Sequence, residues 1–209
     1  AIALGEALKT NTKLTKLGLS YNVIGTRGAI ALADGLKTNS SLTTLPLNGN
    51  FIKDEGAVAL AEVLSNTKTT TTSSRRVATT TTTTALRELH LSGNGIGRVG
   101  AIALARSLKK NNNSPLQFLE LGSNKIGNAG AIAFAHSLKY NTRLSHVFLH
   151  RNNIGNVGMD ALVNATRMNY SLERIYSFGN AATSDNAMKE SLLCRKERIK
   201  TRDAASSPG

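Results

Sequence analysis

Residues that could carry out catalysis or bind metal are few in this chain of 209 residues. They comprise four histidines, one cysteine and 13 acidic residues. His90 lies two repeats from His146 and His150, which are four positions apart on one predicted strand, and neither Cys194 nor a carboxylate set completes a tetrahedral site. Nucleophile elbows, phosphate-binding loops and suitably spaced paired carboxylates are absent from the sequence. We therefore predict no catalytic residues, no metal site and no cofactor.

Recognition of another macromolecule is the chemistry that the C-terminal part of the sequence indicates. Aromatic and basic residues recur there at alternate positions of successive predicted strands. This set, called the aromatic patch below, consists of Phe118, His146, Phe148, His150, Arg151, Arg174, Tyr176 and Phe178. Aromatic side chains and arginine dominate the binding energy of protein interfaces, and exposed rings on a sheet require an explanation. We interpret the patch as a partner-binding site; the alternative is that some rings fold over the sheet edge or pack under a C-terminal cap.

The elements that position these residues are copies of one unit. Residues 116–143 open with leucines spaced as LxxLxL, continue with Asn124 and Ile126, and end with apolar residues at helical spacing. Residues 14–41 repeat this pattern over the same length of 28 residues. Each unit therefore predicts a short strand, a turn and a helix. Because one unit cannot bury its own apolar face and stacked copies can, the repeat predicts a solenoid.

The pattern LxxLxLxxNxIGxxGAxxLAxxL resembles the ribonuclease-inhibitor-type leucine-rich repeat over residues 1–64 and 86–180. That class includes the repeat domains of NOD-like receptors, ribonuclease inhibitor and Ran GTPase-activating proteins. The resemblance implies an α/β horseshoe that binds macromolecules on its concave face and rim. Neighbouring strands lie about 4.8 Å apart and neighbouring helices about 10 Å apart. The stack must therefore curve, with parallel strands on the concave face and helices on the convex face.

We expect a single leucine-rich-repeat domain over residues 1–200. Its predicted parts are a partial unit at 1–13, units at 14–41, 42–66, 86–115, 116–143 and 144–171, and a C-terminal cap at 172–200. Residues 67–85 are predicted to be a Thr-rich disordered insertion, and residues 201–209 a disordered tail. Because the chain begins with Ala1 inside a repeat, we expect it to be a fragment of a larger receptor-like or regulatory protein.

Several recurring residues are predicted to be structural. A buried asparagine after each strand can bond backbone groups of its own and the next unit, namely Asn22, Asn50, Asn94, Asn124, Asn152 and Asn180. Gly25, Gly97, Gly127 and Gly155 suit a tight turn with positive φ. Pro46 lies within a predicted strand, where it cannot donate a ladder hydrogen bond.

The net charge of +13 suggests binding to nucleic acid or to an anionic surface. Much of this charge falls at predicted helix ends, where cations complement the helix dipole: Lys9, Lys37, Lys109, Lys110, Lys139 and Arg167. Arg75, Arg76 and the basic run at 195–202 are not explained in this way. The nucleic-acid interpretation is disfavoured, however, because the sequence matches no recognised nucleic-acid-binding fold.

The leading interpretation is a non-catalytic protein–protein interaction module that binds a macromolecular partner through its concave face. The alternative that the resemblance allows is a GTPase-activating regulator of a Ran-like small GTPase, although that family typically carries an acidic tail and this tail is basic. No apolar run reaches the roughly 18 residues of a membrane span. We expect a protein partner, a cytoplasmic location and a monomer in isolation.

Overall fold

The computed structural model describes residues 1–65, 84–110 and 114–182, and helices and strands alternate along them. The helices are α1 (Ile2–Thr10), α2 (Gly25–Leu36), α3 (Lys53–Ser65), α4 (Arg98–Lys110), α5 (Gly127–Leu138) and α6 (Asn156–Met168). The strands are β1 (Thr44–Pro46), β2 (Glu88–His90), β3 (Phe118–Glu120), β4 (His146–Phe148) and β5 (Arg174–Tyr176). Residues 183–200 of the predicted C-terminal cap, the tail and all but the last two residues of the predicted insertion lie outside the described residues.

Stacking of the units produces one parallel sheet with the strand order β1-β2-β3-β4-β5, and each helix packs against the next. Leucines of the LxxLxL strands and apolar residues of the helices fill the space between the two layers. Leu45, Leu89, Leu119 and the ring of Phe134 are inaccessible to solvent. This arrangement confirms the predicted α/β leucine-rich-repeat solenoid, with parallel strands on the concave face and helices on the convex face.

Buried asparagines bond their own unit, as predicted, but the second unit they bond is the preceding one and not the next one. Asn124 donates from Nδ2 to the carbonyls of Leu91 and Leu121, both at 2.9 Å, and its Oδ1 accepts from the amides of Asn94 and Ile96, both at 3.0 Å. Asparagines of the other units bond both their own and the preceding unit in the same way: Asn50, Asn94, Asn152 and Asn180. These bonds satisfy backbone groups where the sheet ladder has ended.

The first complete unit departs from the prediction of a strand in every unit, because residues 14–41 form only a single parallel bridge, Lys16 to Thr44. Pro46 explains the difference. Its carbonyl accepts from the Leu19 amide at 2.8 Å, so this residue faces the first unit, yet its ring nitrogen has no hydrogen to donate. The ladder between the first two units is therefore interrupted.

The prediction of positive φ at the turn glycines is correct for Gly25 (64°) and Gly127 (62°) and wrong for Gly97 and Gly155. At the first two, the amide bonds a backbone carbonyl of the following unit. At the other two, a side chain of the preceding unit accepts the amide: Asp54 Oδ1 lies 2.6 Å from Gly97 N, and Asn128 Oδ1 lies 2.7 Å from Gly155 N. A side-chain acceptor therefore takes the place of the backbone carbonyl at these two glycines, and the left-handed residue of each turn lies two positions earlier, at Gly95 (67°) and Asn153 (54°).

Thr84, near the end of the predicted insertion, packs with the unit that follows it. Thr84 is buried, and its hydroxyl accepts from the amide of Leu86 at 3.3 Å. Ser114, also buried, accepts from the amide of Leu116 at 3.5 Å at the corresponding place in the next unit. A threonine can fill this position because the layer requires only a short side chain with an acceptor oxygen.

Candidate protein-binding face

The residues that alternate with buried leucines form two columns across the concave face. Strand pairing aligns Thr44, Glu88, Phe118, His146 and Arg174 in the first column. It aligns Pro46, His90, Glu120, Phe148 and Tyr176 in the second. This is the register that the repeat predicts, and it places members of the aromatic patch from neighbouring units side by side.

Phe118, Phe148 and Tyr176 form a continuous stack of rings, called the ring ladder below. The centroids of Phe118 and Phe148 are 4.8 Å apart, and those of Phe148 and Tyr176 are 4.4 Å apart with the planes inclined by 12°. His90 and His146 flank Phe118 at 4.8 Å and 6.0 Å. The rings are half-buried, so they shield one another and still face solvent. Each aromatic pair stabilises the arrangement by about 0.5–1.5 kcal/mol beyond its buried area.

His150 and Phe178 form a second stack beside the ladder, with centroids 4.8 Å apart and planes inclined by 5°. The other side of the imidazole lies over Gly122, where a Cβ atom would collide with it. Burial lowers the pKa of His150, and Arg151 lowers it further against an opposing effect of Glu120. His150 is therefore neutral near pH 7 and contributes a flat ring to the face.

The two arginines of the aromatic patch occupy different places. Arg174 is exposed at the end of the ladder, where its Nη1 donates to the Tyr176 hydroxyl at 3.0 Å. Arg151 lies on the loop after β4 with φ 53°, and its Cγ covers Gly179 of the next unit. The structure thus places Arg174 on the concave face and Arg151 at its edge.

A charged network lies at the N-terminal end of the ladder, and the sequence prediction of the aromatic patch did not include it. Glu120 Oε2 lies 2.7 Å from His90 Nδ1 and accepts from Asn48 Nδ2 at 3.4 Å, and Glu88 lies 3.8 Å from His90 Nε2. The hydrogen bond from His90 lowers the pKa of Glu120, so this carboxylate is charged at neutral pH. The sequence signal was available, because His90 and Glu120 occupy one column in adjacent units.

Two exposed aromatic residues on the loops after the strands were also missed. Tyr21 is 84% exposed with φ 58°, and Phe51 is 62% exposed with φ 57°. Some units place glycine with positive φ at these positions, for example Gly93 and Gly95, and others place a polar residue with positive φ there, namely Ser123, Arg151 and Asn153. A left-handed conformation costs a residue with a side chain about 1–2 kcal/mol. The available signal was an aromatic residue where most other units use glycine or polar residues.

Within residues 1–65, 84–110 and 114–182, three or more potential metal-ligating side chains do not gather at any point. In the same ranges, every helix is too short or too polar to cross a membrane. The concave face, as far as the structure describes it, therefore presents stacked rings with a few charged side chains around them.

Repeat pattern, sheet order and buried asparagines together define a leucine-rich-repeat solenoid. A family model described as "Leucine Rich repeat" matches residues 10–33, 38–61, 84–105 and 112–135. A search of curated protein sequences finds no match.

Two solved structures share the fold over nearly the whole chain. One is leiomodin-1 actin-binding site 2, at a TM-score of 0.56 and 16% identity, covering 96% of this chain and 92% of that chain. The other is the C-terminal domain of tropomodulin from Caenorhabditis elegans, at a TM-score of 0.55 and 13% identity, covering 98% of both chains. At such identities the similarity concerns the fold.

Proposed function

We propose that this chain is a non-catalytic protein-interaction module of the ribonuclease-inhibitor type that acts as a monomer in the cytoplasm. In this proposal its concave face binds a protein partner through the aromatic patch. The ring ladder is the observation that carries the proposal. It brings Phe118, Phe148 and Tyr176 into ring contact across three units on an open face, where aromatic side chains serve as interface anchors.

The charge of the concave face supports a protein partner over a nucleic acid. The two strand columns and Lys16 carry two cations, Lys16 and Arg174, and two carboxylates, Glu88 and Glu120. This face is therefore close to neutral although the chain carries +13. Protein surfaces that bind nucleic acid depend on concentrated positive charge, which this face lacks.

Actin is the first specific partner to test, because one of the similar structures is named as an actin-binding site. The similarity is one of fold, so we propose actin only as a candidate partner for the concave face. A Ran-like small GTPase belongs in the same panel of partners as a comparison.

The decisive experiment compares one triple variant and one double variant with the wild-type chain. Phe118→Ala, Phe148→Ala and Tyr176→Ala together remove the ladder. Tyr21→Ser and Phe51→Ser remove exposed rings from the loops and serve as the matched control. Circular dichroism and denaturation confirm folding of both, and affinity capture with mass spectrometry then identifies partners, followed by co-sedimentation with filamentous actin.

We expect a partner that the wild-type chain and the loop variant capture and the ladder variant loses. Equal capture by all three proteins would refute the concave-face proposal. A partner lost only from the loop variant would move the site to the loops. If none of the three proteins sedimented with filamentous actin, actin would be excluded as the partner, and the wider proposal would be unaffected.

A further inference from the structure

Cations at the ends of the N-terminal helices are neutralised by a column of acidic residues. Lys9 Nζ lies 2.9 Å from Glu6 and 2.8 Å from Asp34 of the following helix. Lys37 Nζ lies 3.9 Å from Asp34 and 3.7 Å from Glu62 of the next helix. Each cation thus bonds an acidic residue on its own helix and one on the helix that follows. Both cations of this surface are therefore paired with carboxylates.

The C-terminal helices keep the cations and lose the acidic column. Lys109, Lys139 and Arg167 repeat the position of Lys9 and Lys37. The positions of Glu6, Asp34 and Glu62 are filled by Arg106, His136 and Asn164. Lys109 Nζ contacts His136 Nε2 at 2.6 Å, where the N-terminal helices have a carboxylate. Among the described residues, none of these three cations forms an ion pair with a carboxylate.

Apolar side chains are exposed beside these unpaired cations. Tyr140 is 55% exposed, Met168 is 59% exposed and Tyr170 is 62% exposed. We call this surface the C-terminal rim and define it as Lys109, Lys139, Tyr140, Arg167, Met168 and Tyr170. Tyrosine, methionine and arginine are enriched at protein interfaces. The rim therefore combines anchors for a partner with positive charge that the described part of the chain does not balance.

We propose that the C-terminal rim docks an acidic segment of a protein partner, on a surface separate from the concave face. Neighbouring helices lie about 10 Å apart, so the three cations span about 20 Å. An extended segment of roughly six residues covers that distance at about 3.3 Å per residue. Carboxylates on such a segment meet the cations, and its apolar side chains meet the tyrosines and the methionine.

The contacts of Tyr140 favour a protein over a single-stranded nucleic acid. Lys109 Nζ lies 5.1 Å from the centre of the Tyr140 ring, and His136 packs edge-on to that ring at 5.6 Å. Bases bind such surfaces by stacking on free aromatic faces. One face of Tyr140 is occupied by the Lys109 ammonium, and Met168 offers no ring at all.

The test grafts the N-terminal acidic column onto the C-terminal helices. His136→Asp with Asn164→Glu places carboxylates beside Lys109 and Lys139 at exposed positions and lowers the net charge by two. Arg27→Gln with Arg98→Gln lowers it by the same amount on other exposed helix positions and is the matched control. Fluorescence anisotropy measures binding of labelled poly-glutamate and of labelled oligo-uridine to each full-length protein, after circular dichroism has confirmed folding. Lys109→Gln with Lys139→Gln is the second rim variant, used should the graft fail to fold.

We expect poly-glutamate to bind the wild-type chain and the control alike, and the rim variants about tenfold more weakly. Equal weakening in the control would overturn the proposal, because net charge alone would then explain binding. If the rim variants bound poly-glutamate as tightly as the wild-type chain, the binding would belong to another basic segment, such as residues 195–202. This result would also overturn the proposal. If oligo-uridine bound the wild-type chain more tightly than poly-glutamate did, and the rim variants lost this binding, the ligand of the rim would be a nucleic acid and the proposal would be overturned.

Discussion

In the N-terminal half of the solenoid the concave columns carry small residues such as Gly18 and Pro46, and the helix-end cations are paired with carboxylates. In the C-terminal half the same columns carry the ring ladder, and the corresponding cations lack carboxylate partners among the described residues. Buried asparagines and leucines nevertheless recur at the same repeat positions in both halves, for example Asn50 and Leu45 in one half and Asn124 and Leu119 in the other. The fold therefore does not require the C-terminal rings and unbalanced cations, and both binding proposals rest on this difference between the halves.

Removing a buried asparagine should have the largest effect, and the effect should be equal in the two halves. Asn124→Ala removes the hydrogen-bond partner of the Asn94 and Ile96 amides and of the Leu91 carbonyl, whereas the Leu121 carbonyl still accepts from Asn152 Nδ2 at 2.8 Å. Because each unsatisfied buried group costs about 1–3 kcal/mol, we expect a loss of about 3 kcal/mol or more. Urea denaturation measures the free energy of unfolding.

Two further asparagine variants sharpen this comparison. Asn50→Ala, in the N-terminal half, should destabilise the chain as much as Asn124→Ala. Asn22→Ala should cost far less, because Asn22 is exposed and its side chain donates only within its own unit, to Leu19 and Ser20. A large difference between Asn50→Ala and Asn124→Ala would show that the halves do not share one packing scheme.

Truncating the middle of the ring ladder should have the next largest effect on stability. Phe148→Ala removes ring contacts with both Phe118 and Tyr176, and we expect a loss of about 2 kcal/mol. Pro46→Ala changes the same column in the N-terminal half and restores a backbone donor facing the first unit. We expect no loss from this second substitution. Equal destabilisation by both would contradict the view that the ladder is peculiar to the C-terminal half.

Relieving the backbone at Phe51 should make the chain slightly more stable. Phe51→Gly removes the left-handed strain at φ 57° and deletes a ring that is 62% exposed. We expect a gain of up to about 1 kcal/mol in the free energy of unfolding, since glycine adopts this conformation without steric cost. Phe178→Gly is the comparison, because Phe178 stacks on His150 and its loss should destabilise the chain. Destabilisation by Phe51→Gly would mean that its ring makes a stabilising contact.

Sequence alone predicted the solenoid, the sheet register and the asparagine bonds within each unit, because the repeat presents each of these features several times. It also identified Pro46 as a residue that cannot donate a ladder hydrogen bond, although not the loss of the strand in the first unit. It failed where single residues act against the repeat, because Asp54 and Asn128 accept the amides of Gly97 and Gly155, which then lack positive φ. The eight patch residues could be placed on or beside the concave face from their register. Their mutual stacking, and the pairing of His90 with Glu120, depend on side-chain conformations that no periodicity encodes.

The smallest predicted effect is a loss of stability in mild acid that originates in the C-terminal half. Burial holds the pKa of His150 below its ordinary value of 6.5, so the unfolded chain takes up this proton at higher pH than the folded chain does. Stability should therefore fall as the pH drops through and below 6.5. Glu120, whose pKa lies below the ordinary 4.5, adds a separate loss only below that value. Urea denaturation across this pH range should show a smaller decrease above pH 4.5 for His150→Gln than for the wild-type chain. Identical pH dependence in the two proteins would show that the imidazole is as accessible to protons in the folded state as in the unfolded one.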